Sequence, residues 1–165
     1  MATQRTIVVG VDGSDCSRAA LEFALEEGVR RGAGVRLVWA IPELEYWPTA
    51  YGMSPRLLKQ LCADAEKAER EMVEAVRRER GGPVADVPVE FRAVGGPAAD
   101  VLVWQSADAD LLVVGHRGRS ALTSAALGSV SLACVLHATI PVTVVRTAPQ
   151  PATPADDRNA VRAGV

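Results

Sequence analysis

Short apolar stretches alternate along the chain with longer segments whose apolar residues recur at helical spacing. Residues 6–11, TIVVGV, are continuously apolar and rich in β-branched side chains, as in a strand buried on both faces. After this stretch, Leu21, Leu25 and Val29 lie on one face of a predicted helix. Ser14 precedes that helix in the position of an N-cap. The first unit of the chain is therefore predicted to be a strand followed by a helix.

The later segments repeat this order of strand and helix. Pro88 has no N–H to donate to a sheet, so the third strand is expected at a sheet edge, or Pro88 at its start. Glycines and prolines separate the segments. The further strands are predicted at 35–41, 87–94, 111–114 and 141–146, and the further helices at 55–80, 97–107 and 129–137.

The resulting order, β-α-β-α-β-α-β-α-β, predicts an α/β fold. Uniformly apolar strands that alternate with helices form a parallel sheet with helices on both faces, here a single three-layer α/β/α domain with five strands. Such sheets bind ligands outside the carboxyl ends of their strands, where the strand order reverses. The segments 10–13 and 115–118, each a glycine-bearing strand end, are the candidates for that place.

Length and composition limit the alternatives. The 165 residues suffice for one domain, predicted at 1–147, and the segment 148–165 is rich in Pro, Ala and charge, which predicts a disordered tail. A net charge of -2 argues against a nucleic-acid partner. No stretch approaches the roughly 18–20 apolar residues of a membrane span, and the N-terminus does not resemble a signal peptide. No membrane partner is therefore expected.

Three cysteines, Cys16, Cys62 and Cys134, lie far apart, which favours neither a disulfide framework nor a zinc site and fits a reducing cytoplasm. Cys16 falls in the first turn of the first helix, where a redox role competes with simple packing. Trp104 is expected to pack in the core or a loop. The loop 42–54 carries several aromatic residues that suit either a lid or ordinary packing.

The chemistry is concentrated in the stretch VGHRGRSALTSAALGSVS, residues 114–131. Gly115 ends a predicted strand, so a sharp turn is expected there, and Gly118 allows the backbone to approach a ligand. Gly128 and Ser129 open a helix whose first N–H groups have no internal partners and favour an anion, best a phosphate. Neither the Walker A nor the GxGxxG pattern is present. The spacing G-x2-G-x9-G-S between a strand and a helix predicts a phosphate site.

These residues resemble the universal stress proteins of the nucleotide-binding type. The signature of that family, G-x2-G-x9-G-[ST], is similar to the segment that starts at Gly115, and the Asp that ends the first strand of the family matches Asp12. The phrases ADADLLVVGHRGRS and PVTVVR are also similar, and the resemblance covers residues 5–147. It implies a Rossmann-like sheet with strand order 3-2-1-4-5, ATP with Mg²⁺ on its phosphates, and a homodimer, often formed through the edge of the last strand.

The resemblance also implies a role for each site residue. Val11, through its backbone, and Asp12 would hold adenine and ribose, and Ala40 would meet the adenine edge through its backbone. The remaining residues would line the ribose and phosphates: Val114, Gly115, Arg117, Gly118, Gly128, Ser129, Val130 and Ser131, the two serines as hydroxyl donors. His116 stands where the family often has Ser, which leaves the individual phosphate contacts open.

Simpler interpretations remain for several of these residues. Asp12 also suits a cap at the start of the first helix, and Gly115 and Gly118 also suit a tight connection. His116 is expected to be a loop residue near the phosphates, because the sequence supplies no evident partner for a general base.

Three functions follow. The first is a cytoplasmic, ATP-binding sensor or regulator that acts through an unknown protein partner. The second is a slow ATPase or phosphotransferase at the same site, and the third is an interaction module without nucleotide.

Overall fold

The computed structural model describes residues 5–41, 55–118 and 127–147. The predicted loop 42–54 and the predicted tail 148–165 lie outside these ranges, so their interpretations stay predictions. Within the described ranges the order of elements is the one predicted, with one addition, a short 3-10 helix. The elements are β1 Thr6–Gly10, α1 Asp15–Arg31, β2 Gly34–Ile41, α2 Pro55–Arg80, the 3-10 helix Gly82–Asp86, β3 Val89–Gly95, α3 Ala98–Gln105, β4 Leu111–Gly115, α4 Ser129–His137 and β5 Val142–Val145.

The five strands form one parallel sheet in the order β3-β2-β1-β4-β5. This arrangement confirms the predicted fold class and strand order. In β1, Ile7 pairs with Val35 of β2 on one side and with Leu111 of β4 on the other. The chain runs outward through β2 to β3 and then returns to the other side of β1 with β4. The strand order therefore reverses between β1 and β4, where a ligand crevice is expected.

Two hydrophobic clusters, one on each face of the sheet, hold the helices against it. Ile7 and Val9 of β1 pack with Leu21 of α1, whereas Val8 points to the opposite face and packs with Leu102 of α3. The side chains of Ile7, Val8, Val9 and Leu21 are fully buried. Alternation along a strand sends neighbouring residues to opposite faces, so a uniformly apolar β1 requires helices on both sides.

The N-cap predicted at Ser14 sets the start of α1, and a glycine sets its end. The Ser14 hydroxyl accepts a hydrogen bond from the backbone N–H of Ser17 at 3.2 Å, which caps the first turn. Gly32 ends the helix with φ at +61°, a left-handed conformation that favours glycine. The start of α1, which faces the sheet edge of interest, is thereby fixed.

Three expectations were wrong in detail. β3 begins at Val89, two residues later than predicted, because Val87 closes the 3-10 helix with its N–H on the Val84 carbonyl. α3 ends at Gln105, two residues earlier than predicted. Trp104 is 69% exposed, so it does not pack in the core. No helix within the described ranges is long and apolar enough to cross a membrane.

Candidate functional site

A cavity of about 480 Å³ opens at the carboxyl ends of β1 and β4, where the strand order reverses. Ligand sites commonly measure about 300–1,000 Å³, so this volume suits a small organic molecule. All eleven residues predicted from the sequence line it: Val11, Asp12, Ala40, Val114, Gly115, Arg117, Gly118, Gly128, Ser129, Val130 and Ser131. The fold thus brings together residues that are up to 120 positions apart in the sequence.

Six further residues line the cavity that were not assigned to a ligand from the sequence. They come from strand ends and from helices that border the opening: Gly10, Ser17, Val38, Ala98, Leu102 and Leu127. Gly10 belongs to the segment 10–13, which the sequence did indicate as a candidate for the ligand crevice, and the other five residues were missed. Ala98 and Leu102 of α3 could not be identified from a sequence pattern, because only the packing of this helix on the sheet brings its first turns to the cavity.

On one side of the cavity, β2 extends beyond the end of β1. Val11 donates its N–H to the Val38 carbonyl at 3.0 Å, and Ala40 lies two residues further along β2, paired with Val94 of β3. Backbone groups of alternate residues in a strand point to the same side, so those of Ala40 point past the end of β1. Ala40 can therefore offer its N–H and its carbonyl to a planar ligand at this edge. Val11 cannot donate to the ligand, because its N–H is already bonded to Val38.

The floor of this part of the cavity is apolar. A Cβ added to Gly10 would lie 2.8 Å from Cδ1 of Leu102, so only glycine allows the leucine to reach the end of β1. Leu102 is 4% exposed and Val38 is fully buried. An apolar floor beside a strand edge with hydrogen-bonding capacity suits a flat heterocycle such as a nucleobase.

Asp12 connects the loops that follow β1 and β4. Its Oδ1 accepts the backbone N–H of Ser14 at 3.0 Å, so Asp12 shapes the turn that precedes α1, while the cap that the simpler interpretation gave to Asp12 is Ser14. Its Oδ2 lies 2.6 Å from the place where a Cβ on Gly118 would stand. The same carboxylate also lines the cavity. Asp12 therefore shapes the turn before α1 and remains placed to meet a ligand.

Gly115 is required by close packing, which differs from the sharp turn predicted from the sequence. Its φ does not lie in the left-handed region. A Cβ at this position would lie 2.8 Å from the carbonyl carbon and oxygen of Cys16 and 2.9 Å from its Cβ. The first turn of α1 thus rests directly on the end of β4.

The first turn of α4 faces the cavity with backbone donors. Gly128 is the N-cap and provides no side-chain hydrogen bond to the helix, while its own N–H donates to the His116 carbonyl at 2.8 Å. The N–H groups of the next three residues lie in the part of a helix that lacks internal partners. Ser129 and Val130 are exposed there. This turn offers both donors and the positive end of the helix dipole to an anion.

Ser131 has a different place from Ser129. Its side chain is 3% exposed, and its hydroxyl donates to the Gly115 carbonyl at 2.6 Å. That bond fastens α4 to the end of β4 and uses the hydroxyl proton. Ser131 therefore holds the cavity wall in place, and of the two serines only Ser129 has an exposed hydroxyl near the helix start.

His116 does not line the cavity, although its neighbours Gly115 and Arg117 do, so its place near the phosphates stays a prediction. Its ring packs toward α1, with Nδ1 at 3.4 Å from Sγ of Cys16. Burial lowers the pKa of His116, and the positive charges of Arg117 and Arg146 lower it further. Cys16 stands 100 positions earlier in the chain, so no local pattern could indicate it as the partner of this imidazole.

Within residues 5–41, 55–118 and 127–147, no three His, Cys, Asp or Glu side chains cluster to hold a metal ion. Asp12 is the carboxylate that lines the cavity, and Arg117 is the cation. A divalent cation at this place would therefore take most of its ligands from the bound molecule and water, as Mg²⁺ commonly does with phosphates.

The family model described as the Universal stress protein family matches residues 4–146. Universal stress protein Rv1996 of Mycobacterium tuberculosis is 33% identical over 169 residues, which cover 93% of this chain and 53% of the relative. The chain therefore spans about half the length of the curated relatives it matches.

Two solved structures share the fold over most of the chain. UspA from Lactobacillus plantarum is 26% identical, with a TM-score of 0.66 over 88% of this chain and 100% of its own. A universal stress protein in complex with cAMP is also 26% identical, with a TM-score of 0.61 over 89% of this chain and 100% of its own.

Proposed function

Because this chain belongs to the universal stress protein family, we propose that its cavity binds ATP and that the bound nucleotide regulates the protein. The observation that carries this proposal is the meeting of an apolar slot beside Ala40 with the donor-rich start of α4 in one cavity. The first part suits a base and the second suits phosphates. Asp12, in the loop after β1, lies against the loop after β4, in a place that suits a ribose hydroxyl.

The residues present fit a nucleotide on physical grounds. The donors at Ser129 and Val130 carry the positive end of a helix dipole, and Arg117 adds a full positive charge at the same wall. Three glycines leave no side chain between the backbone and the ligand. The similar protein solved with cAMP holds an adenine nucleotide in the same fold. We propose ATP rather than cAMP because the start of α4 offers several donors for phosphate groups.

Regulation is favoured over turnover by the chemistry of the lining. Hydrolysis needs a group that positions the attacking water and groups that stabilise the charge that develops in the transition state. In the part of the chain that the structure describes, the cavity carries one carboxylate, and Asp12 already holds the turn before α1. A nucleotide that contacts α4 and the loops after β1 and β4 would instead stabilise one arrangement of these elements. A protein partner that binds this arrangement would then respond to the nucleotide. We place this activity in the cytoplasm.

The direct test is calorimetric titration of ATP and Mg²⁺ into protein stripped of bound nucleotide. We expect saturable binding of one ATP per chain, with ADP and cAMP as competitors and no ADP formed during the titration. Absence of heat, together with absence of competition by any adenine nucleotide, would contradict nucleotide binding. ATPase activity that copurifies with the protein would show that the chain is an ATPase, and the regulator proposal would be wrong.

We also propose that the chain forms a homodimer through β5 and α4. β5 is an edge strand of the sheet, and α4 exposes Leu132, Val135 and Leu136 at 46%, 48% and 67% of their surfaces. A second copy would pair the edge strand and cover these side chains.

Light scattering of the purified chain is expected to give a dimer, and Leu136→Glu is expected to give a folded monomer. Ala63→Glu, on an exposed position of α2, adds the same single negative charge away from this surface and should leave the dimer intact. A wild-type monomer at micromolar concentration would contradict the interface.

A further inference from the structure

A thiol–imidazole pair lies against the loop that follows β4, among side chains that nucleotide binding does not use. Cys16 is the second residue of α1, and its Sγ is 3.4 Å from Nδ1 of His116 and 3.9 Å from Oγ1 of Thr147. Cys16 and His116 are both half-buried, and neither lines the nucleotide cavity. The pair brings a nucleophilic atom within hydrogen-bond distance of a base.

The ring of His116 can accept a hydrogen bond from the Cys16 thiol, because its Nδ1 lies 3.4 Å from the sulfur. The pKa of His116 is lowered by burial and by its cationic neighbours, so the imidazole is neutral at pH 7 and one ring nitrogen is an acceptor. With the ring proton on Nε2, Nδ1 accepts the Cys16 thiol proton. Burial raises the pKa of Cys134 to about 11, so this thiol is not expected to react with peroxide.

We propose that Cys16 is a site of oxidation by peroxides, with His116 as the proton acceptor, and that this oxidation weakens nucleotide binding. The sulfur attacks one oxygen of hydrogen peroxide, a S–O bond forms and the O–O bond breaks. The thiol proton passes through Nδ1 of His116 to the leaving hydroxide, which becomes water. The sulfur loses two electrons and becomes a sulfenic acid, and the peroxide is reduced.

The connection to the cavity runs through Gly115. The backbone of Cys16 already lies in close contact with this glycine, and His116 stands between Gly115 and Arg117, which both line the cavity. An added oxygen on the sulfur needs room beside the His116 ring, and movement of that ring displaces the segment 115–118. Linkage is reciprocal, so bound nucleotide should also make the oxidised form of the thiol less favourable at equilibrium. This second half of the proposal rests on the proposed function.

The first experiment measures the thiol without nucleotide. The intact protein is treated with hydrogen peroxide in the presence of dimedone, and the adduct at each cysteine is followed by peptide mass spectrometry. We expect Cys16 to react at least about tenfold faster than Cys62. His116→Gln should slow Cys16 to the rate of Cys62 and leave Cys62 unchanged. Equal rates at Cys16 and Cys62 in the wild type, or a Cys16 rate unaffected by His116→Gln, would overturn the proposal.

The second experiment measures nucleotide affinity before and after peroxide. We expect treatment to weaken ATP binding about tenfold in the wild type and to leave Cys16→Ser unaffected. Equal affinities of the treated and untreated wild type would overturn the regulatory half while the proposed function stands. If the untreated wild type binds no adenine nucleotide, the proposed function fails and this half fails with it, while the rates of the first experiment still decide whether Cys16 is the reactive thiol.

Discussion

Replacement of Ser129 by aspartate is expected to weaken ATP binding on the order of 100-fold without loss of the fold. Ser129 is the first residue of α4 and is exposed beside the cavity. A carboxylate there would stand a few ångströms from the proposed phosphates, and like charges at that separation repel by several kcal/mol where solvent is partly excluded. The same carboxylate interacts favourably with the start of the helix, so the melting temperature should rise slightly.

Ser129→Asn is the matched control for this change. Asparagine has nearly the size of aspartate, carries no charge and can still donate to an anion, so its affinity should fall by about tenfold at most. Calorimetric titration measures both affinities, and thermal unfolding measures both stabilities. Tight ATP binding by Ser129→Asp would show that the phosphates do not lie at the start of α4, and the proposed orientation of the nucleotide would be wrong.

Alanine substitutions at Gly115, the last residue of β4, and at Gly118, in the loop after it, are expected to have different effects. The first should mainly lower stability, and the second should mainly weaken ATP binding. Alanine at Gly115 would place its Cβ 2.8 Å from backbone atoms of Cys16, which cannot move without shifting α1. We expect Gly115→Ala to lower the free energy of unfolding by about 1–3 kcal/mol. A larger acidic side chain would cost more, so a substitution at Gly115 would not test nucleotide binding in an undisturbed fold.

Among the described residues, alanine at Gly118 closely approaches only the end of a side chain, Oδ2 of Asp12. The carboxylate can turn away, so Gly118→Ala should change the free energy of unfolding by less than about 1 kcal/mol. Because Asp12 lines the cavity, its displacement should weaken ATP binding about tenfold or more.

Gly95→Ala is the control for both variants, since no heavy atom of the described residues lies within 4 Å of its added Cβ and its φ is not left-handed. Urea unfolding and titration of the three variants distinguish these expectations. A Gly118→Ala protein that binds ATP as tightly as Gly95→Ala would remove Asp12 from the proposed site.

Part of the cavity could be found from the sequence because it follows strand ends, whereas the place of Ala40 was implied by the resemblance to the family. The segments 10–13 and 115–118 carry glycines directly after apolar strands, and in a parallel sheet the ends of neighbouring strands meet at one edge. Leu102 could not be found this way, since its contact with Gly10 depends on how α3 crosses the sheet. Ser131 was found, but its hydroxyl bond to Gly115 could not be read from the sequence.

The sequence by itself determined the order of elements and the edge of the sheet that carries the cavity. Both follow from local periodicity and from residues such as Ser14 and Gly32, whose effects reach only a few positions along the chain. Only the tertiary structure decided what each motif glycine makes room for, and that the thiol of Cys16 meets His116. These contacts depend on strand register and on the packing of α1 over β4, which bring together groups about 100 residues apart that no local pattern relates.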